Sequence, residues 1–262
     1  MSILRNPVSG HPLDQTLTSN DSKTTSGVEH RELMENGNND PFVEYMKPAI
    51  ERHHLSPDAL RRHKEMVETL KIKGLSIPVS AYPKDLNTRK GNFAEVVLAE
   101  YLTVTTDAEL PVYRLRYTTN PEQSLKGDDV LLFDLDSDPV RVIVGESKFR
   151  GTPSKAAVVE MVDGLLRSNK AGLPISLMFV ANRLFEEGND ELGERVQNCA
   201  ILFLQDKLEI NYVGLLMSNL NAKRIINEHT ENKLRNLLVI SLGVQQPEGI
   251  VNQVFTELEE SL

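Results

Sequence analysis

The run Val140-Arg141-Val142-Ile143-Val144-Gly145-Glu146-Ser147-Lys148-Phe149 constrains the fold of this chain more than any other. Four of its first five residues are β-branched Val or Ile, so it reads as a buried strand. Residues two apart on a strand share a face, so Glu146 and Lys148 emerge side by side at its end. Holding a carboxylate and an ammonium there is expensive unless they are used.

The partner of this strand is legible just upstream. Lys126-Gly127-Asp128-Asp129 opens a second apolar run, Val130-Leu131-Leu132-Phe133, and Asp134 to Pro139 is a polar loop that returns the chain. An antiparallel pair is expected, with Asp129 at the start of one strand beside Glu146 and Lys148 at the end of the other. Asp129 directly precedes the apolar run and is the preferred ligand; Asp128 faces away and reads as a turn residue.

The remaining segments read as a mixed α/β chain. Residues 93–102 form a helix that is apolar on nearly every side, hence central, and Glu95 stands in it among Phe93, Leu98, Ala99 and Leu102. Residues 111–117 alternate and read as a strand, 154–170 as a helix, 175–181 as a third buried strand, 186–198 as a polar helix, and 208–214 as another strand. A helix near 222–228, a strand near 237–242 and a C-terminal amphipathic helix complete the chain.

Before this core, residues 1–40 are rich in Ser, Thr, Asn, Asp and Gly and read as a flexible or partner-ordered tail. Residues 41–84 form a helical region, in which Ser56 and Pro57 start an amphipathic helix running to Gly74. A short apolar piece, 75–79, follows. Arg52, His53, His54, Arg61, Arg62, His63 and Lys64 make this region the most basic of the chain, read as a solvated helix face. The fold expected is therefore a mixed central sheet flanked by helices, a restriction-endonuclease-like core over 85–215. A helical N-terminal region precedes it, and an α/β C-terminal extension (216–262) packs on it.

Charge and composition narrow the function. The 262 residues are 40% hydrophobic and 26% charged, as in a soluble globular protein. No run of 18 apolar residues and no signal-peptide core is visible, so a cytoplasmic protein with no membrane partner is expected. A lone Cys199 excludes an internal disulfide and a cysteine zinc site. The net charge of −9 argues against an autonomous, tight nucleic-acid binder, though not against an enzyme whose partner supplies that affinity. Phosphate-loop, serine-elbow, His-Glu-x-x-His and dinucleotide motifs are absent.

What these residues permit is phosphodiester hydrolysis. A hard cation such as Mg2+, with Mn2+ as the alternative, takes oxygen ligands. Asp129, Glu146, the Ser147 backbone carbonyl and Glu95 supply them. Lys148 is placed to orient or deprotonate a water, or to neutralise charge developing on a phosphate.

An acidic helix, an Asp at a strand start, a Glu-x-Lys on the paired strand and a following helix together resemble the PD-(D/E)xK nuclease superfamily. Within it, Gly91-Asn92-Phe93-Ala94-Glu95, Lys126 to Phe133 and Gly145 to Arg150 look like the HamA nuclease subunits of Hachiman anti-phage systems. That resemblance implies a DNA substrate and a HamB-like superfamily 2 helicase partner that restrains the nuclease. A related nuclease of restriction or repair without that partner, and a catalytically silent interaction module, are the alternatives.

Overall fold

A run of β-branched residues with no polar alternation needs cover on both faces, and the sheet provides it. In the computed structural model, which describes residues 3–74, 81–123, 126–169, 172–219 and 222–262, helix α1 (Pro12–Thr16) leads into strands β1 (Leu17–Lys23) and β2 (Glu29–Glu35). Helices α2 (Asp40–His54), α3 (Pro57–Ile72) and α4 (Leu86–Thr105) follow, then a 3-10 turn at Arg114–Tyr117. Strands β3 (Val130–Asp134) and β4 (Val140–Arg150) form the expected hairpin. Helices α5 (Lys155–Asn169), α6 (Leu177–Glu186) and α7 (Asp190–Leu204), strand β5 (Leu208–Ser218), helix α8 (Lys223–His229), strand β6 (Leu237–Gly243) and helix α9 (Pro247–Glu260) complete the order.

The strands form one mixed sheet in the order β1-β2-β6-β5-β4-β3. Its four inner strands run parallel, and an antiparallel hairpin closes each side. Side chains alternate strictly between two cores. Ile143, Val213, Leu215 and Ile240 pack with Phe93 and Leu98 of α4, Met46 of α2 and Phe255 of α9. Val142, Val144, Leu216 and Val239 pack with Met161 and Leu165 of α5, Val180 of α6 and Val196 and Cys199 of α7. The expected α/β architecture, a mixed sheet flanked by helices, is the one observed.

Several elements differ from the sequence reading. The described part of the expected tail, 3–40, is not a tail: β1 and β2 are strands, and β2 pairs in parallel with β6. Their polar composition conceals this, because β1 is an exposed edge and β2 buries polar groups that find partners. His30 Nε2 lies 2.8 Å from Ser241 Oγ, and Arg31 donates to Asp21 through Nε (2.7 Å) and Nη2 (2.6 Å). β6, placed by the sequence in a C-terminal extension, lies inside the sheet between β2 and β5.

Residues 111–117 do not form a strand: after a single bridge between Glu109 and Phe133, 111–113 are irregular and Arg114–Tyr117 make a 3-10 turn. Val112 joins one core and Leu115 the other, and Arg116 Nε donates to the Arg52 carbonyl at 2.9 Å. The expected strand at 175–181 is instead a turn at 175–176 and the first residues of helix α6. Leu177, Val180, Ala181 and Leu184 are its buried residues, a spacing of three and four that the continuous apolar run at 175–181 obscures. The helix expected from Glu186 begins at Asp190, after Gly188 at φ 75°. His53 and His54 are buried instead of lying on a solvated face. α3 forms as expected, capped by Ser56, yet none of its residues is buried. The apolar piece 75–79 and Lys170, the expected end of a helix, lie outside the described residues.

Candidate active site

The β3–β4 hairpin sets the site. Its register pairs Val130 with Gly145, and one further step sets Asp129 across from Glu146. Gly145 brings helix α4 down onto this hairpin: a Cβ there would lie 2.9 Å from both Leu98 Cδ2 and Val130 Cβ. That close approach carries Glu95, one turn before Leu98, to the same end of the strands.

The two adjacent aspartates divide as their backbones dictate. Gly127 takes φ 124°, a conformation that favours glycine, and turns Asp128 inward. Asp128 is buried and structural. Its carboxylate accepts from the Ser168 hydroxyl and from Ser176 N (3.0 Å), and its own N–H donates to Ser176 Oγ (2.9 Å). Asp129 faces the other way, and its Oδ2 accepts from Ser147 N (2.8 Å) and Ser147 Oγ (3.0 Å).

Glu95, Asp129, Ser147 and Lys148 line one cleft of about 420 Å³, together with Thr88, Lys90, Asn92 and Arg150. Glu146 is not on that wall; its carboxyl is reached through Lys148. The Lys148 ammonium donates to Glu146 Oε1 (2.5 Å) and to the Ser147 carbonyl (3.1 Å). A cationic nitrogen thus sits between two of the oxygens expected to hold a metal.

The electrostatics of this corner are those of buried carboxyls with a negative neighbour. Burial, then the neighbouring Asp129, push the Glu95 carboxyl up to about 8, with the Arg114 guanidinium opposing. Burial and Asp129 likewise push Glu146 up to about 7, against the pull of Lys148. Burial first, and a negative neighbour second, disfavour ionisation of these two carboxyls, and a nearby cation would favour it. The donor set is entirely oxygen, which suits Mg2+ or Mn2+. As arranged, no group of three or more His, Cys, Asp or Glu among the described residues is gathered closely enough to hold an ion. The donor chemistry fits a hard dication, while in this arrangement the Lys148 ammonium is bonded to Glu146 Oε1 and to the Ser147 carbonyl.

Other groups at this corner escaped the sequence reading. Arg114 is buried, donates to the Lys126 carbonyl at 3.3 Å and borders a second, very small cavity with His53, Glu95 and Asp129. Its place in an apparent strand hid it. Lys90 and Arg150 bring positive charge to the cleft, held by Glu248 (2.6 Å) and Glu160 (2.5 Å). Thr88 and Asn92 stand seven and three residues before Glu95, the spacing of one helix face, and that spacing was a usable signal.

Fold and site together define a mixed α/β protein with a six-stranded sheet flanked by helices, an acidic strand pair and an acidic helix. Comparison with known proteins places it further. The family model HamA matches residues 11–258. A Hachiman protein HamA from Bacillus cereus is 33% identical over 270 residues, covering 100% of this chain and 97% of that protein. The chain belongs to the HamA family. Among the described residues, no helix is long and apolar enough to cross a membrane.

Proposed function

We propose that this chain is the nuclease of a Hachiman-type anti-phage defence system: a Mg2+-dependent DNase, active in the cytoplasm, that works with a helicase partner and is restrained by it. The observation that carries the reading is the single cleft shared by Glu95, Asp129, Ser147 and Lys148, with Glu146 tied to it through the Lys148 ammonium.

Asp129, Glu146, the Ser147 carbonyl and Glu95 are the groups that would hold the metal, with Mn2+ as a substitute. When bound, the ion supplies Lewis-acid polarisation of the scissile phosphate and an acidified water. Lys148, freed from Glu146, stands where it neutralises charge developing on the phosphate. Lys90 and Arg150 offer positive charge to the DNA backbone along the cleft wall. A chain of net charge −9 gains little from these two cations alone, which is the reason for assigning much of the DNA affinity to the partner. The Lys148–Glu146 ion pair supports a resting state in which the ammonium stands in for the metal.

The same ion pair is what a silent interaction module would possess, so one assay separates the readings. Plasmid DNA is incubated with the protein, with and without its helicase partner, in Mg2+ or EDTA, beside Lys148→Ala and Glu146→Ala. The expected outcome is Mg2+-dependent degradation, lowered about a hundredfold or more by either substitution. Degradation that persists in EDTA or in both variants rejects the site. No degradation under any condition, partner included, favours the silent module. Activity of the protein alone that adding the helicase neither restrains nor enhances favours a restriction or repair nuclease.

A further inference from the structure

We infer that Gly164, on α5, is a positioning residue for Glu146, an assignment that rests on the metal-site reading above. Gly164 is buried on the face that carries Met161 and Leu165 into the core. Glycine is a poor helix former, and no positive φ at 164 asks for one. The reason lies across the gap. A Cβ on residue 164 would stand 2.5 Å from both Glu146 Cδ and Glu146 Oε1, and 2.8 Å from Glu146 Cγ. The carboxyl lies in the space that the missing side chain leaves.

The displaced atom would be the one that matters. Oε1 is the oxygen to which the Lys148 ammonium donates, beside the Ser147 carbonyl. Met161 and Leu165 are almost completely buried, at 0% and 1% exposure, so α5 has little freedom to retreat. An added methyl is therefore accommodated by moving the carboxyl, and a cation position defined by that carboxyl moves with it. Gly145 and Gly214 also meet close neighbours, but those are apolar side chains.

A double-mutant cycle on the full chain tests this without DNA. Thermal unfolding is measured for the wild type, Gly164→Ala, Glu146→Ala and the double variant, and Mn2+ binding is measured by calorimetry for the wild type and Gly164→Ala. Without the Glu146 carboxyl, Gly164→Ala gains helix propensity and raises Tm. In the wild-type background the clash offsets that gain, so the change in Tm is lower by about 2–4 °C or more. Mn2+ affinity is expected to fall at least tenfold in Gly164→Ala. Equal Tm changes in the two backgrounds, or unchanged Mn2+ affinity, overturn the assignment. A wild type that binds no Mn2+ counts against the metal-site reading, while the Tm cycle still decides whether Gly164 seats the carboxyl.

Discussion

Glu95 and Glu100 lie on one helix and are driven in opposite directions by their surroundings. Glu95 shares its corner with Asp129 and Glu146 and is pushed up; Glu100 is surrounded by donors. His53 Nε2, Arg52 Nη2 and the Tyr45 hydroxyl each lie 2.8 Å from its carboxylate oxygens. Although burial opposes ionisation, these partners hold Glu100 down at about 2. A carboxyl whose pKa falls on folding stabilises the protein above its unfolded value and loses that contribution as pH falls through the folded value. Stability from Glu100 is therefore complete above about pH 4.5 and is lost between there and about pH 2. Replacing it with Gln leaves the half-exposed Arg52 guanidinium without its carboxylate and is expected to cost about 1–3 kcal/mol. Urea unfolding at pH 7 and pH 3 checks this: the variant should be clearly weaker at pH 7, and the gap should shrink at pH 3. An equal gap at both values would show that the charge plays no part.

At the scale of elements, the β3–β4 hairpin and α4 act as one unit. Their contact is made by Gly145, Leu98 and Val130, with no room for a methyl. Gly145→Ala is expected to destabilise the protein by about 1–3 kcal/mol through overpacking, read as a lower midpoint in denaturant with little change in slope. The same variant displaces α4 and so Glu95, and if the chain is the proposed nuclease, its activity should fall further than stability alone explains. Full activity with lowered stability would mean that the position of Glu95 does not matter.

The whole molecule is a sheet closed on one side by residues that look disordered in sequence. β2 covers the edge of β6, whose seven residues are all buried. Deleting residues 1–38 would leave a long apolar edge bare, a template for pairing with other chains. That truncation is expected to be insoluble or to elute as aggregate in size-exclusion chromatography, whereas a monodisperse, cooperatively unfolding product would show that the N-terminal strands are dispensable. A divalent cation acts on the same scale: if the corner at Glu95, Asp129 and Glu146 binds Mg2+, saturating Mg2+ should raise Tm by mass action, EDTA should reverse the rise, and Glu146→Ala should blunt it.

Local rules were sufficient wherever the deciding contacts are close in sequence. The hairpin placed Asp129 opposite Glu146 because its loop is short and its register follows from counting along two apolar runs. Ser56 marked the start of α3 because a cap bonds only three residues away. Cys199 was legible as a core residue from its neighbours alone.

Contacts distant in sequence were decided by the tertiary structure. The apolar run at 175–181 is compatible with strand or helix, and packing of α6 against α7 and the sheet selects the helix. His30 and Arg31 tolerate burial because Ser241 and Asp21 meet them, and Ser241 is 211 residues away from His30. Asp128 was set apart from Asp129 by its place before the apolar run, but its partners Ser168 and Ser176 reach it only through the tertiary fold. Arg114 reaches the acidic corner because the chain leaves β3 after one bridge. Sequence alone determined which chemical groups stand at the strand ends, since a period of two is a local property. Which oxygens share a corner, and the gap in α5 where Glu146 rests, depend on the approach of helices from elsewhere in the chain.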